Sequence, residues 1–384
     1  MPRKRILWLC SWYPDKMEPF NGDFVQRHAN AAALYNDIHV IHVAGDATGT
    51  KNTEQVNSKE GLTEHIVYYK KASGLIGKFI NYNRWRTAYQ QAIDQYLQKN
   101  GKPDLLHVHV PMRAGLLAMR LKKKMGIPYV VTEHWTIYQP QSDIKYAEQK
   151  PLFRSVIQWV VKNSSRLLPV SKDLGLRMNE QVAKKEFTVI ENVVNEQYFY
   201  YTDTVKPGSP FRFIHVSNMT YQKNTEGVIE CFANFQQRFP ATELVIAGNV
   251  PSAIKQLIEG TGLLNRKIFL RGEVSYTEVA KEMQQADALL MFSRFENSPC
   301  SIIEALCCGL PVIATRVGGI PELISATNGV LVESQDKEGL ITAMEKMVTN
   351  YAIYDRKKIA EDATGRFSYP VIGKKLDEVY ATSI

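Results

Sequence analysis

The chain has 384 residues, enough for two hydrophobic cores, and its 45% apolar and 22% charged residues are ordinary for a globular protein. No run approaches the roughly 18 consecutive apolar residues that a membrane-spanning helix needs. The net charge of +8 is concentrated early: residues 1–200 carry 28 Lys/Arg against 18 Asp/Glu, and residues 201–384 carry 19 against 21. A basic first half fits an anionic partner (a membrane surface, a phosphate-linked lipid or nucleic acid) or a merely solvated basic face. Nucleic acid is the least favoured of these, because no RNP, KH or zinc-finger signature accompanies the charge. The five cysteines are odd in number and form no CxxC pair, which argues against a disulfide framework or zinc site and fits a reducing, cytoplasmic setting. The basic N-terminus followed by Ile6–Cys10 superficially resembles a secretion signal. Its apolar run is too short and lacks a small-residue cleavage site, so it reads as a first buried strand.

In chain order, short β-rich apolar runs alternate with helical patterns, the signature of βαβ units on parallel sheets. The first half predicts strands at Ile6–Cys10, Ile38–Val43, Leu105–Val110, Tyr129–Thr132, Arg166–Val170 and Thr188–Ile190. Helical patterns lie between them at Val25–Tyr35, Trp85–Lys99, Arg113–Met125 and Leu152–Asn163. After the turn-rich segment Tyr200–Pro210 the rhythm restarts. Strands are expected at Arg212–Val216, Glu243–Ala247, Ile268–Arg271, Ala288–Met291, Val312–Thr315 and Gly329–Val332. The accompanying helices are Asn224–Arg238, Tyr276–Gln284, Ser301–Cys308 and Lys337–Thr349. The fold class is thus α/β, with two doubly wound, Rossmann-like domains facing across a cleft. Open parallel sheets bind ligands at the carboxyl ends of their strands.

The most informative segment is Phe292–Ile324, FSRFENSPCSIIEALCCGLPVIATRVGGIPELI. A strand ends near Met291, and Ser298 at an N-cap with Pro299 at the first helical position signals a helix start. The backbone N–H groups of Cys300 and Ser301, at the positive end of that helix, suit a diphosphate. Glu296 precedes the helix and Glu304 lies within it; Gly309 supplies a left-handed cap, and Gly318-Gly319 a turn where backbone can approach a ligand.

Glu296, seven residues, then Glu304, followed by Gly309-Leu-Pro-Val-Ile and Gly318-Gly-Ile-Pro-Glu322, resembles the E-x7-E signature of the retaining glycosyltransferases of family 4, which have the GT-B fold. The resemblance covers nearly all of the C-terminal half and, more loosely, the N-terminal half. It implies a domain of residues 1–199 on the acceptor side and a nucleotide-sugar domain of residues 200–368. A final helix, Val371–Tyr380 within residues 369–384, would pack back on the first domain. It implies that Glu304 hydrogen-bonds the donor ribose, that Glu296 contacts the hydroxyls of the transferred sugar, and that Lys223 holds the departing diphosphate. Asn218 stands where the family often has Arg, so either its amide or another cation, Arg294 or Arg316, would complete the clamp. Gly22, in the Asn21-Gly22-Asp23 loop after the first strand, and His134, at the end of the strand Tyr129–Thr132, are the site residues implied in the first half. His107 and His109 are read as facing opposite sides of their strand, with His109 the nearer to the cleft.

The resemblance further implies transfer with retention. No carboxylate is placed as a nucleophile for double displacement, so front-side attack is expected, the leaving phosphate taking the acceptor's proton; domain closure around the donor is expected because the phosphate ligands come from both halves. No cofactor and no metal are expected, since no Asp-x-Asp and no carboxylate–histidine cluster with ligand spacing occurs. The partners expected are a nucleotide-sugar, UDP-linked in preference to GDP-linked, and a glycan or lipid-linked acceptor of cell-surface polysaccharide or glycolipid synthesis. Residues 68–88 mix Lys70, Lys71, Lys78, Arg84 and Arg86 with Leu75, Ile76, Phe79, Ile80 and Trp85, and Arg120 with Lys122–Lys124 forms a second basic cluster. Such a stretch is suited to peripheral attachment at the anionic inner face of a membrane, or else Phe79, Ile80 and Trp85 pack on the core. The alternative activity is a sugar-nucleotide epimerase, which uses the same fold without an acceptor.

Overall fold

The computed structural model describes residues 3–49, 51–74, 76–203 and 210–384. They form two compact units: Met1–Tyr138 with Lys145–Val193 and Tyr369–Ile384, and Gln139–Ile144 with Val194–Ser368. Of the expected linker Tyr200–Pro210, residues 204–209 lie outside the described residues, as does Leu75.

The first unit runs β1 (Arg5–Cys10), α1 (Asp23–Ala32), β2 (Asp37–Asp46), β3 (Thr53–Lys59), β4 (Leu62–Lys70), α2 (Gly77–Asn100), β5 (Leu105–His109), α3 (Ala114–Met125), β6 (Tyr129–Glu133), α4 (Pro151–Asn163), β7 (Arg166–Pro169) and α5 (Lys172–Gln181). Its sheet has the order β3-β4-β2-β1-β5-β6-β7, and every neighbouring pair is parallel except β3 with β4. Helices cover both faces, so the central strands are buried on both sides and read as unbroken apolar runs; β1 is buried from Ile6 to Cys10. The strand expected at Thr188–Ile190 is instead an extended strap beside β7, with Thr188 N–H donating to Leu167 O (3.0 Å) and Ile190 N–H to Pro169 O (3.1 Å).

The second unit runs β8 (Phe211–Val216), α6 (Thr225–Arg238), β9 (Thr242–Ala247), α7 (Ser252–Gly260), β10 (Ile268–Gly272), α8 (Tyr276–Gln284), β11 (Ala288–Met291), α9 (Cys300–Cys307), β12 (Val312–Thr315), β13 (Gly329–Val332), α10 (Lys337–Thr349) and α11 (Arg356–Phe367). The all-parallel order β10-β9-β8-β11-β12-β13 reverses direction between β8 and β11. Connections leave this pair toward opposite sides of the sheet, which opens a crevice at its carboxyl end. The chain then returns to the first unit as α12 (Tyr369–Ser383), which packs on α1. None of the five cysteines is disulfide-bonded. No helix among the described residues is long and apolar enough to cross a membrane.

Candidate active site

The loops after β8 and β11 meet at the switch point of the second sheet, and their side chains lock together. Lys223, which closes a 3₁₀ turn (Tyr221–Lys223) ahead of α6, reaches Glu296 with Nζ 2.5 Å from Oε1. The same carboxylate accepts from Ser293 Oγ (3.0 Å) and from Gln222 Nε2 (2.9 Å). Glu296 is 3% exposed, so a charge there requires this much compensation. Arg294 fastens the loops from the other side: it pairs with Glu226 (2.7 Å), donates to Tyr221 O (2.5 Å) and lies 4.2 Å over the Tyr221 ring. Arg316 is half exposed and pairs with Glu333 at 3.1 Å. Both cations considered as substitutes for the missing Arg at Asn218 therefore already serve carboxylates. Asn218 is exposed, and its Oδ1 accepts from Thr220 Oγ1 at 3.1 Å. Lys223 does not open α6 itself; Asn224, in the left-handed region (φ 50°), turns the chain between the two.

Helix α9 begins one residue later than its sequence implies. Pro299 keeps an extended ψ of 123° and is itself the N-cap, so Ser298 is not the cap and the first helical residue is Cys300. Cys300 and Ser301 still form the first turn, at the positive end of the helix dipole. Glu304 sits one turn further along, 4% exposed, and Ser298 is 8% exposed. At the far end Gly309 N–H bonds Leu306 O (2.9 Å) and Leu310 N–H bonds Ala305 O (2.9 Å), the two bonds of a Schellman cap, with Gly309 at φ 75°. Gly318 (φ 51°) closes the crevice from the β12 side: a Cβ there would sit 1.7 Å from the carbonyl oxygen of Glu296. Sequence reasoning missed four contributors, Gln222, Ser293, Asn297 and Gln139. The last comes from the β6–α4 connection yet belongs to the second unit, donating from Nε2 to Asn297 Oδ1 at 2.9 Å. Only the position of Ser293 and Asn297 within Phe292–Ile324, on either side of Glu296, could have marked any of them.

In the first unit the corresponding switch point lies between β1 and β5. Gly22, the N-cap of α1, has φ 73°, and a Cβ on it would fall 2.6 Å from Trp12 C and Tyr13 N. His134 follows β6 and is 9% exposed. Its Nε2 is 3.4 Å from His109 Nδ1, and its ring lies 4.6 Å from that of Phe24. His107 and His109 do not face opposite sides of β5. They are two residues apart, which places them on one face, and their ring centroids are 4.1 Å apart. His107 is held by Tyr380 Oη and Thr132 Oγ1, each at 2.7 Å. Burial, reinforced by the neighbouring imidazoles, holds His107, His109 and His134 well below the usual histidine range, so all three are neutral at physiological pH. Beside them Glu133, another unanticipated residue, is pushed up to about 7 by burial. It accepts from the N–H groups of His134 (2.8 Å) and Trp135 (2.9 Å) and from Tyr138 Oη (3.0 Å). No group of three or more His, Cys, Asp or Glu with metal-binding geometry occurs among the described residues.

Two doubly wound units, the second carrying paired buried carboxylates and a lysine at its switch point, define a GT-B-type glycosyltransferase. Two family models cover the chain almost end to end: Glycosyltransferase Family 4 matches residues 29–198, and Glycosyl transferases group 1 matches residues 201–366. The chain belongs to the family 4 glycosyltransferases. It is 28% identical over 250 residues to the N-acetyl-alpha-D-glucosaminyl L-malate synthase of Bacillus anthracis, a match spanning 62% of this chain and 63% of that enzyme. Its fold is similar to that of sucrose-phosphate synthase from Thermosynechococcus elongatus (TM-score 0.78, 17% identity, 99% of both chains). It is also similar to Anabaena HepE in complex with UDP-glucose (TM-score 0.70, 16% identity, 99% of this chain and 100% of that one). The protein is an enzyme, a sugar transferase.

Proposed function

We propose that the enzyme transfers a sugar, with retention of anomeric configuration, from a nucleoside-diphosphate sugar to a glycan or lipid-linked acceptor of cell-surface polysaccharide or glycolipid synthesis. The observation that carries this reading is the convergence of Lys223, Glu296 and the first turn of α9 at one switch point, with Glu304 one turn further along that helix. In this reading Glu304 takes the ribose hydroxyls and the amides of Cys300 and Ser301 face the diphosphate. Lys223 shifts its charge from Glu296 to the leaving phosphate as negative charge develops there. Glu296, already fixed by Ser293 and Gln222, presents its carboxylate to the sugar. Asn218 supplies neutral hydrogen bonds. Neutral His134 serves as a hydrogen-bonding group for the donor sugar, beside the Gly22 turn. A UDP-sugar is the favoured donor, in keeping with the ligand of HepE. No residue is assigned as a covalent nucleophile, so front-side attack with the leaving phosphate as base is the proposed route. Proton NMR of the product's anomeric centre, after incubation with a UDP-sugar and an acceptor, tests it; retention is expected, and an inverted product overturns the route.

The same reading places the first unit on an anionic membrane. Phe79 is 72% exposed and Ile76 71%, among Lys70, Lys71, Lys78 and Arg86, whereas Trp85 is buried against Tyr89 and Ile80 is half-buried. Part of the amphipathic stretch thus belongs to the core and part is exposed. Leu152 and Trp159 on α4 are also exposed, and neither α3 nor α4 contains a carboxylate. Exposed apolar side chains among cations suit the interface of an anionic bilayer. Sedimentation with phosphatidylglycerol vesicles at low salt, reduced in Phe79→Ser and absent with phosphatidylcholine, is the expected result; protein left in the supernatant contradicts it.

A further inference from the structure

The segment Gln139–Ile144 is an outlier in the chain's architecture. Tyr138 before it and Lys145 after it belong to the first unit, but these six residues pack as part of the second. Their local structure explains how so short a segment holds a shape. Gln139 precedes Pro140, which confines it to extended backbone, and Pro140 occupies the first central position of a turn. Ser142 N–H closes that turn on Gln139 O (3.1 Å), and Ser142 Oγ then donates to Ile144 O (2.9 Å). The result is a preformed hook with Gln139 at its base and Pro140 and Gln141 at its bend.

Within the second unit the hook is fastened to Asn297. Gln139 is 2% exposed and Asn297 3%, and the 2.9 Å hydrogen bond between their amides is buried. Asn297 directly follows Glu296. Gln139 Nε2 also lies 3.2 Å from where a Cβ on Gly318 would stand, the same point that is 1.7 Å from Glu296 O. The amide of Gln139, the backbone of Glu296 and the Gly318 turn are therefore packed around one spot. A buried polar side chain aimed at the residue beside Glu296 does need a reason.

We infer that Gln139 is a positioning residue for the donor: through Asn297 it fixes the Glu296 loop against Gly318 and sets the affinity for the nucleotide-sugar. This rests on the reading of Glu296 as a donor-sugar ligand. Donor affinity thus depends on residues outside the 194–368 stretch that builds the second sheet.

A double-mutant cycle on the full-length enzyme tests it, by titration calorimetry with UDP-glucose, UDP-N-acetylglucosamine and GDP-mannose, using whichever binds wild type. Gln139→Ala and Asn297→Ala should each raise Kd about 10-fold, the size expected for one buried hydrogen bond. The double variant should be no weaker than either single, because the two residues act as one pair. Donor KM should follow Kd in the alanine variants while kcat stays within about 3-fold, a split that general loss of structure does not produce. Additive losses, or a Gln139→Ala enzyme that binds donor as wild type does, overturn the inference and leave the donor site standing. If no nucleotide-sugar binds wild type, the reading of the site fails and this inference with it.

Discussion

At the residue scale, the Lys223–Glu296 pair has two duties that pull against each other. In the free enzyme the lysine balances a carboxylate that is almost fully buried; in turnover it must attend to a departing diphosphate. Removing it exposes both. Lys223→Met leaves Glu296 buried without its counter-charge, which costs roughly 3 kcal/mol in comparable buried pairs. Thermal unfolding of the second unit should move down by roughly 5–10 °C, and kcat should fall about 100-fold or more as an anion-stabilising group is lost. Adding Glu296→Gln to Lys223→Met should restore most of the melting temperature and none of the activity. Calorimetric scans paired with donor-hydrolysis rates check both halves. A double variant that stays as unstable as the single would mean that the pair is not what holds these loops together.

At the scale of elements, the site is made of turns that only certain residues can form. Gly22 and Gly318 both have positive φ, and a methyl group on either would collide with backbone, Trp12 and Tyr13 in one case and Glu296 in the other. Gly22→Ala and Gly318→Ala should each destabilise by more than about 1 kcal/mol. Gly318→Ala should in addition weaken donor binding, since it displaces the Glu296 carbonyl; equal donor affinity in this variant and wild type would disconnect that turn from the site. The turns and α9 were legible because their chemistry is local: a Ser-Pro start, a glycine stop, two carboxylates at fixed spacing. Even there the start slipped by one residue, because Pro299 suits a cap as well as a first turn. The β3 strand was not legible, since all seven of its residues are exposed and leave no alternation to read. Strand β4 and helices α5, α7 and α11 likewise have no counterpart among the elements expected from the sequence. Gln139 was invisible for a deeper reason: nothing local to QPQSDI says that it will pack some 160 residues away. The error over His107 and His109 was one of period, since residues two apart on a strand share a face.

At the scale of the molecule, buried histidines make stability depend on acid. Burial lowers His28, His39 and His215 to about 4 and holds His107, His109 and His134 well below 6.5; all but His215 lie in the first unit. Between about pH 6.5 and 4 the unfolded chain takes up protons at these sites and the folded protein does not. Folding stability is therefore full above 6.5 and falls as the pH drops through that window, by up to about 1.4 kcal/mol per pH unit for each histidine. Glu133 has the opposite sign. Its carboxyl stays protonated up to about 7 when folded, so its contribution is lost as pH rises from its ordinary value toward 7. One carboxyl against five histidines leaves the first unit the acid-sensitive one. Differential scanning calorimetry from pH 7.5 to 5 should show its transition falling steeply while that of the second unit moves less. Two transitions that shift in parallel, or not at all, would contradict this.

The most direct test of the account is calorimetric titration of wild type and Glu304→Ala with a panel of UDP-, GDP- and ADP-sugars. Selective binding of one donor by wild type is predicted, UDP-linked before the others. In Glu304→Ala it should weaken about 10- to 100-fold, the loss expected for hydrogen bonds to a charged group, with the fold intact by circular dichroism. Wild-type protein that binds no donor, or a Glu304→Ala variant that binds as tightly as wild type, would contradict the assignment of this switch point as the nucleotide-sugar site.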